Sequence, residues 1–383
     1  MNIEIYDKNN IDDLKIVDKY DNLVIKQYSL PLIKNGLLNH LDNIDAEMQL
    51  LCVEENVFPI VISNLKPKVK NSYVCSATTH YLDYAKDEIN MELADQKMLK
   101  TFSGYAIDFF KFFFEKMDFE KTVFVNNLLL STNLYPDLDL NVLEKTLAFL
   151  IKKFPDYPIM FKSVNKEFNT NIMNKLESLD CVRIFSRQVY VLDPKLEEYK
   201  QKNNYYNDLR LTKKTKYIWE EIKSPENIDL TRIKDLYRFL YIDKYSQMNP
   251  QFNEKFFLET IGNPMFTYKL LKKDNVICGV LGYFNRNNTI TAPIVGYDTS
   301  IDQKDGLYRL IIFEMMQDSI KNNWILNMSS GVSKYKMMRG AVGTTEYNMV
   351  YYKHLKKTQQ IPWFIFEKLT KNVIEVVAKK YQL

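Results

Sequence analysis

Apolar positions along this chain follow two periods, and the switch from one to the other outlines its elements. Residues 268–272 and 276–284 are runs of branched and aromatic residues divided by Asp274-Asn275, which is hairpin chemistry. Asn285-Arg286-Asn287-Asn288 is a second turn, and Thr289–Tyr297 reads as a third strand. From Asp305-Gly306 the period lengthens, and Leu307, Leu310, Ile311, Met315 and Ile320 fall at helical spacing. Residues 324–328 predict a short buried strand, and Ser329-Ser330-Gly331 breaks it. Residues 334–339 then suit a short helix, and 345–354 is strand again.

The first half carries a related pattern. Strands are predicted at 47–54 and 57–65, joined by Glu55-Asn56, with Pro59 at an edge or bulge. A third strand is expected at 71–77, an amphipathic helix at 96–116 and a strand at 121–130. Residues 1–21 read as irregular and 32–41 as a short helix. Helix 143–154, stopped by Pro155, precedes strand 158–163, helix 166–178 and strand 182–192. That order recurs at 307–321, 324–328, 333–339 and 345–352, so an internal structural duplication is expected from pattern, not identity. The polar, basic stretch 195–216 is placed as the junction, giving domains 1–200 and 201–383. Helices at 229–245, 253–261 and 363–381 complete the second.

Composition changes the picture in few places. A chain of 383 residues, 46% of them hydrophobic, suits about two domains with real cores. A net charge of +4 is too small to imply nucleic acid by itself, although a local basic patch stays open. Cys52, Cys75, Cys181 and Cys278 are too scattered for a metal site, and reduced thiols are expected. His40, His80 and His354 give no triad, and neither a Walker loop nor a GxGxxG fingerprint occurs. The opening residues do not read as a signal peptide, and no window approaches the ~18 apolar residues of a membrane span. A cytoplasmic protein is expected. Only Gly36 and Gly104 fall in the first half, while eight glycines fall in the second. The second half is therefore the expected working half, with the first as scaffold.

An antiparallel meander followed by helix, strand, helix, strand resembles the acyltransferase core of the GNAT superfamily. The phrases Tyr241-Ile242-Asp243-Lys244-Tyr245-Ser246-Gln247-Met248-Asn249-Pro250 and Ser333-Lys334-Tyr335-Lys336 extend the resemblance to its tandem branch, which includes the Fem-type aminoacyl transferases. It implies an α/β (α+β) fold of two tandem GNAT-like domains. Each would be a mixed, mostly antiparallel sheet flanked by helices, with the first domain degenerate.

The resemblance also implies site residues. In the family's phosphate loop, Q/R-x-x-G-x-G/A, Gln303 and Gly306 match, but Tyr308 replaces the final small residue. Lys304 and Arg309 add charge at this helix start. Residues 292–298 correspond to the splayed fourth strand. There the backbone at Ile294 and Val295 would meet the thioester, and Asp298 would accept the amine's proton. Tyr335 would protonate the leaving thiolate, with Ser330, Ser333 and Lys336 on the acceptor side. Tyr237, Tyr241 and Tyr245 recur every four residues and would border the acceptor. The plain alternatives are a strand-to-helix turn at Gly306, a strand-end aspartate, a packing tyrosine and a core stripe.

Three functions follow as expectations. The first is an N-acyltransferase taking acyl-CoA, or a pantetheine thioester on an acyl carrier protein, to a small-molecule amine, without metal. The second takes aminoacyl-tRNA as donor. The third is a binding protein on a degenerate acyltransferase frame.

Overall fold

Two-residue turns with positive φ match the right-handed twist of the strands they join. Asp274, Asn275, Asn287 and Asn288 all have φ between 51° and 63°. They set the registers Lys273 to Val276 and Arg286 to Thr289. The computed structural model describes residues 3–87 and 97–374.

In chain order the strands are β1 (Ile3–Tyr6), β2 (Ala46–Val53), β3 (Asn56–Ser63), β4 (Val123–Val125), β5 (Ile159–Asn165) and β6 (Val182–Leu192). They continue as β7 (Ile218–Ile222), β8 (Thr267–Lys273), β9 (Val276–Arg286), β10 (Thr289–Tyr297), β11 (Ile325–Asn327) and β12 (Val342–Tyr351). The α-helices are α1 (Tyr20–Asn35), α2 (Lys97–Glu115), α3 (Asn141–Lys153), α4 (Lys166–Ser178), α5 (Asn203–Lys214), α6 (Leu230–Arg238), α7 (Glu254–Thr260), α8 (Leu307–Asn322), α9 (Ser333–Met337) and α10 (Lys357–Leu369).

Among the described residues the strands form one sheet, in the order 1-2-3-4-5-12-6-11-10-9-8-7. Each half supplies five neighbouring strands and sends its sixth into the other half. β12 lies against β5, β6 lies against β11, and β6 and β12 pair antiparallel at the centre. Both parallel pairs, β4 with β5 and β10 with β11, sit at matching places in the two halves. The sheet is thus mixed and mostly antiparallel, as expected.

The swapped strands carry core residues with them. Tyr347 and Met349 of β12 pack with Val123, Leu147 and Leu176 of the first half. Tyr190 and Leu192 of β6 pack with Leu310, Ile311 and Met316 of the second. On the opposite face one apolar layer runs through both halves, from Tyr28 and Leu32 to Ile233, Phe256 and Trp363.

Several expectations fail for identifiable reasons. Residues 71–77 form no strand, because the amides of Ser72 and Tyr73 donate to the carbonyls of Asn43 and Met248. The strand expected at 121–130 stops at Val125, since Asn126 and Leu129 take positive φ and turn away. The irregular opening contains β1, and the helix expected at 32–41 is α1, which runs through Pro31 and stops at Asn35. The junction is not a bare linker but holds α5. The last helix begins at Lys357, and the expected residues 375–381 lie outside those described. All four cysteines are free.

Candidate active site

β10 and β11 pair over three residues only, Thr289–Ile325, Ile290–Leu326 and Thr291–Asn327. Beyond that point the two chains part. Met328 donates its amide to the Tyr190 carbonyl at 2.8 Å, and Tyr190 donates to Ser329 at 3.2 Å, so the second chain follows β6. β10 instead stays on β9 as far as Tyr297, with a bulge between Thr291 and Ile294. Pro293 lies in that bulge, where a missing ladder donor costs least. A wedge therefore opens beside residues 292–297. Gly296 fixes one wall, because a Cβ there would come within 2.5–2.6 Å of the backbone of Leu236 and Tyr237. α6 consequently lies directly on β10.

Tyrosines cluster at the far end of β10. Tyr297 ends β10, Tyr308 stands on the first turn of α8 and Tyr335 on α9, with ring centroids 6.1 Å and 5.1 Å apart in sequence. Burial pushes the Tyr335 and Tyr308 phenols well above their ordinary range, so both stay protonated at neutral pH. The Arg339 guanidinium lies 3.5 Å over the Tyr335 ring and opposes that shift. The Tyr335 hydroxyl is buried and has no hydrogen-bond partner. The tyrosine stripe of the sequence divides. Tyr237 is core, donating to the Pro250 carbonyl at 2.8 Å, whereas Tyr241 is half-buried and Tyr245 exposed.

Lys336, the residue after Tyr335, is buried as Arg339 is. Its Nζ donates to the carbonyls of Ser329 at 3.0 Å and Ser330 at 2.7 Å. Burial, with Arg187 adding to it, brings its pKa down to about 7. Arg187, on β6, donates to Glu346 of β12 at 2.9 Å, to Thr132 at 2.6 Å, to Ser329 at 3.2 Å and to the Ser131 carbonyl. Burial works against its charge, but Glu346, with Tyr73 and Tyr84, outweighs burial and raises its pKa. Lys162 and His80 face the same cluster. Burial lowers Lys162 to about 8 and, helped by Lys162 and Arg187, lowers His80 to about 3. The sequence reading missed Arg187 and Glu346. Their readable signal was a charge in the middle of strands otherwise built for burial, a costly placement unless the charges pair.

The expected phosphate loop is built differently from its likeness. Gln303–Asp305 is a single 3-10 turn, and Gly306 has φ of 70°. A Cβ on Gly306 would lie 2.8 Å from Leu211, so α5 rests over the loop. Arg309 is not free for phosphate. It shares the fully buried Asp208 of α5 with Arg339, at 2.7 Å and 2.6 Å. Asp305 accepts from Tyr217 at 2.9 Å, and Lys304 pairs with Asp302 at the surface. Asp208 and its helix were hidden in what read as a polar junction.

Asp298 is no free base. It holds Arg232 at 2.6 Å and accepts from the amide and hydroxyl of Ser300. Burial pushes its pKa up, but those bonds outweigh burial and hold it below the ordinary carboxylate range. The Ile294 and Val295 side chains are core, which leaves only their backbone to face the wedge. Ser333 is exposed and Ser330 half-buried beside Lys336. A separate cavity bounded by Asn133, Asn165, Arg286 and Asn327 has its guanidinium already bonded to Asp21 and Asn126. Among the described residues no group of three or more His, Cys, Asp or Glu is placed to hold a metal, and no helix is long and apolar enough to cross a membrane.

No protein-family model and no curated protein sequence matches the chain. Solved structures do. FemX aligns over 85% of this chain and 91% of its own, with a TM-score of 0.50 at 8% identity. A tandem GNAT protein from the clavulanic acid biosynthesis pathway aligns over 91% and 98%, with a TM-score of 0.40 at 7% identity. L-PGS from Bacillus licheniformis aligns over 62% and 78%, with a TM-score of 0.42 at 12% identity. The likeness to FemX, joined to the strand order above, gives the chain the tandem GNAT-like fold, and it is a likeness of fold alone.

Proposed function

We propose that the chain is an N-acyltransferase in which a donor carbonyl enters the wedge beside β10 and an amine attacks it directly. The observation that carries this reading is the parting of β10 and β11 after three paired residues. It leaves the edge of residues 292–297 able to bond an extended ester or thioester arm much as an added strand would. A backbone N–H there would meet the oxygen as it gains charge.

The proton steps fall to two side chains. In its neutral form Lys336 has two N–H groups, matched by the Ser329 and Ser330 carbonyls, and one lone pair left over. As the amine nitrogen bonds the carbonyl carbon, that lone pair takes the amine's proton. Where an alkoxide leaves, the Tyr335 phenol gives it a proton and solvent restores both that proton and the free amine of Lys336; a leaving thiolate needs only the phenol's hydrogen bond. Tyr241, Tyr245, Ser330 and Ser333 border the acceptor's approach. Asp298 is left as a structural partner of Arg232.

A second reading concerns the donor. Leu211 over Gly306 and the Asp208 pairing of Arg309 speak against a free nucleotide thioester seated by its phosphates on this loop. They favour a donor anchored elsewhere, either pantetheine on a carrier protein or an aminoacyl ester of tRNA. The test is a donor panel of acyl-CoAs, acyl-pantetheines and charged tRNA with amine acceptors, following free thiol and deacylated tRNA. Turnover of a carrier or tRNA donor that is indifferent to Lys304→Glu supports the reading. Turnover of acyl-CoA that collapses in Lys304→Glu restores the phosphate loop, and silence with every donor removes the acyltransferase reading.

A further inference from the structure

Long apolar side chains on a helix ordinarily turn inward, and α2 departs from that rule. Phe114 does turn in, onto Phe119 and Phe366. Tyr105, Phe109 and Phe112 do not, being 73%, 60% and 54% exposed, and Phe110 and Phe113 are exposed as well. Positions 105, 109, 112 and 113 follow helical spacing along one face of α2, and Lys116 follows just past its end. The rings pack on each other, Phe109 to Phe113 at 4.6 Å and Phe112 to Phe113 at 5.4 Å, and make a continuous aromatic patch. Scattered apolar residues on a surface need no explanation, but a contiguous patch does.

The charges around it are not random. Lys116 stands 4.0 Å over the Phe112 ring. Asp83 joins Lys111 at 2.7 Å to Lys70 at 3.2 Å, which draws the exposed loop Leu65-Lys66-Pro67-Lys68-Val69-Lys70 up to the helix. Lys86 adds a further cation, paired with Asp108. Among the described residues this surface sets Lys66, Lys68, Lys70, Lys86, Lys111 and Lys116 against Asp45, Asp83, Asp87, Asp108 and Glu115, with Asp45 accepting from the Lys68 amide.

We infer that the face of α2, with the 65–70 loop, docks on the surface of an anionic lipid bilayer. Aromatic rings seat at the acyl–headgroup boundary, while lysine stems lie along the apolar layer and lift their ammonium groups to lipid phosphates. A second copy of this chain is the poorer occupant. A two-fold contact would set this lysine-rich surface against itself and bury Lys111 and Lys116 among rings. The placement also relates to the site. The Thr79–Tyr84 turn beside α2 carries His80, and Asp87 just beyond it accepts from Ser246 across the halves. The inference does not depend on acyl transfer.

The test is flotation of the full chain with vesicles of phosphatidylcholine alone and of equal parts phosphatidylcholine and phosphatidylglycerol. The wild type is expected to float with the anionic vesicles only, and less so as salt rises. Phe109→Ser with Phe112→Ser should abolish flotation. Lys66→Gln with Lys68→Gln, which touches no core contact, should weaken partitioning about 30-fold. Failure of the wild type to float on anionic vesicles overturns the inference, as does a lysine pair that floats like wild type. A dimer in sedimentation that the phenylalanine pair dissolves would assign the face to self-association instead.

Discussion

A buried lysine amine sheds its proton when desolvation outweighs what its carbonyl partners give back, and Lys336 sits at that balance near pH 7. If its lone pair takes the acceptor's proton, kcat/KM rises as pH increases through about 7 and then levels, because the neutral form gains population in that direction. Lys336→Met should cost about 10²- to 10⁴-fold and flatten that limb, measured as a pH–rate profile with a melting curve as the folding control. Tyr335→Phe removes a hydroxyl that bonds nothing, so stability should hold within about 0.5 kcal/mol. Its effect on rate should depend on the donor, small where a thiolate leaves and large where an alkoxide must be protonated. Asp298→Asn should show the reverse pattern. Its pairing with Arg232 is lost, at about 1–2 kcal/mol, while turnover stays within about threefold, read by denaturant melts beside the rate assay. Sequence placed Tyr335 and Lys336 together at a helix start, but it could not show which of several carboxylates and phenols were already engaged. That depends on contacts such as Arg232 to Asp298, which are 66 residues apart.

At the scale of elements, strands were legible wherever apolar alternation met a turn of Asp or Asn, as at 274–275 and 287–288. The wedge was legible in part, because Pro293 and the short run 324–328 mark a bulge and a strand that ends early. The helix α5 was not. Its exposed face is polar, and its anchoring residue, Asp208, is a carboxylate whose partners lie 101 and 131 residues away. The glycine-rich second half read as backbone making room for a ligand. At Gly296 the room is taken by α6 instead. Gly296→Ala should therefore push α6 off β10, destabilise the chain by about 1–3 kcal/mol and lower its melting temperature.

For the whole molecule, the exchange of β6 and β12 is the feature no local pattern announces. Both strands look ordinary in sequence, and only their partners lie in the opposite half. The duplication read from element order is visible in the matching places of the two parallel pairs, but the cores it builds are interlocked. Residues 1–200 alone would lack the strand that joins β5 to β6, and residues 201–383 alone would lack the partner of β11. Expressed separately, each half is expected to give no cooperative melt, whereas coexpression should return a complex that melts in one transition. Two independent melts would mean that the halves fold as separate domains.

The wedge itself is open to direct measurement by amide hydrogen exchange across the whole chain, with and without whichever donor turns over. New protection is expected at residues 292–297 and 329–336, with little change elsewhere. Protection at the cavity around Asn133 and Asn165, with β10 exchanging as before, would contradict it.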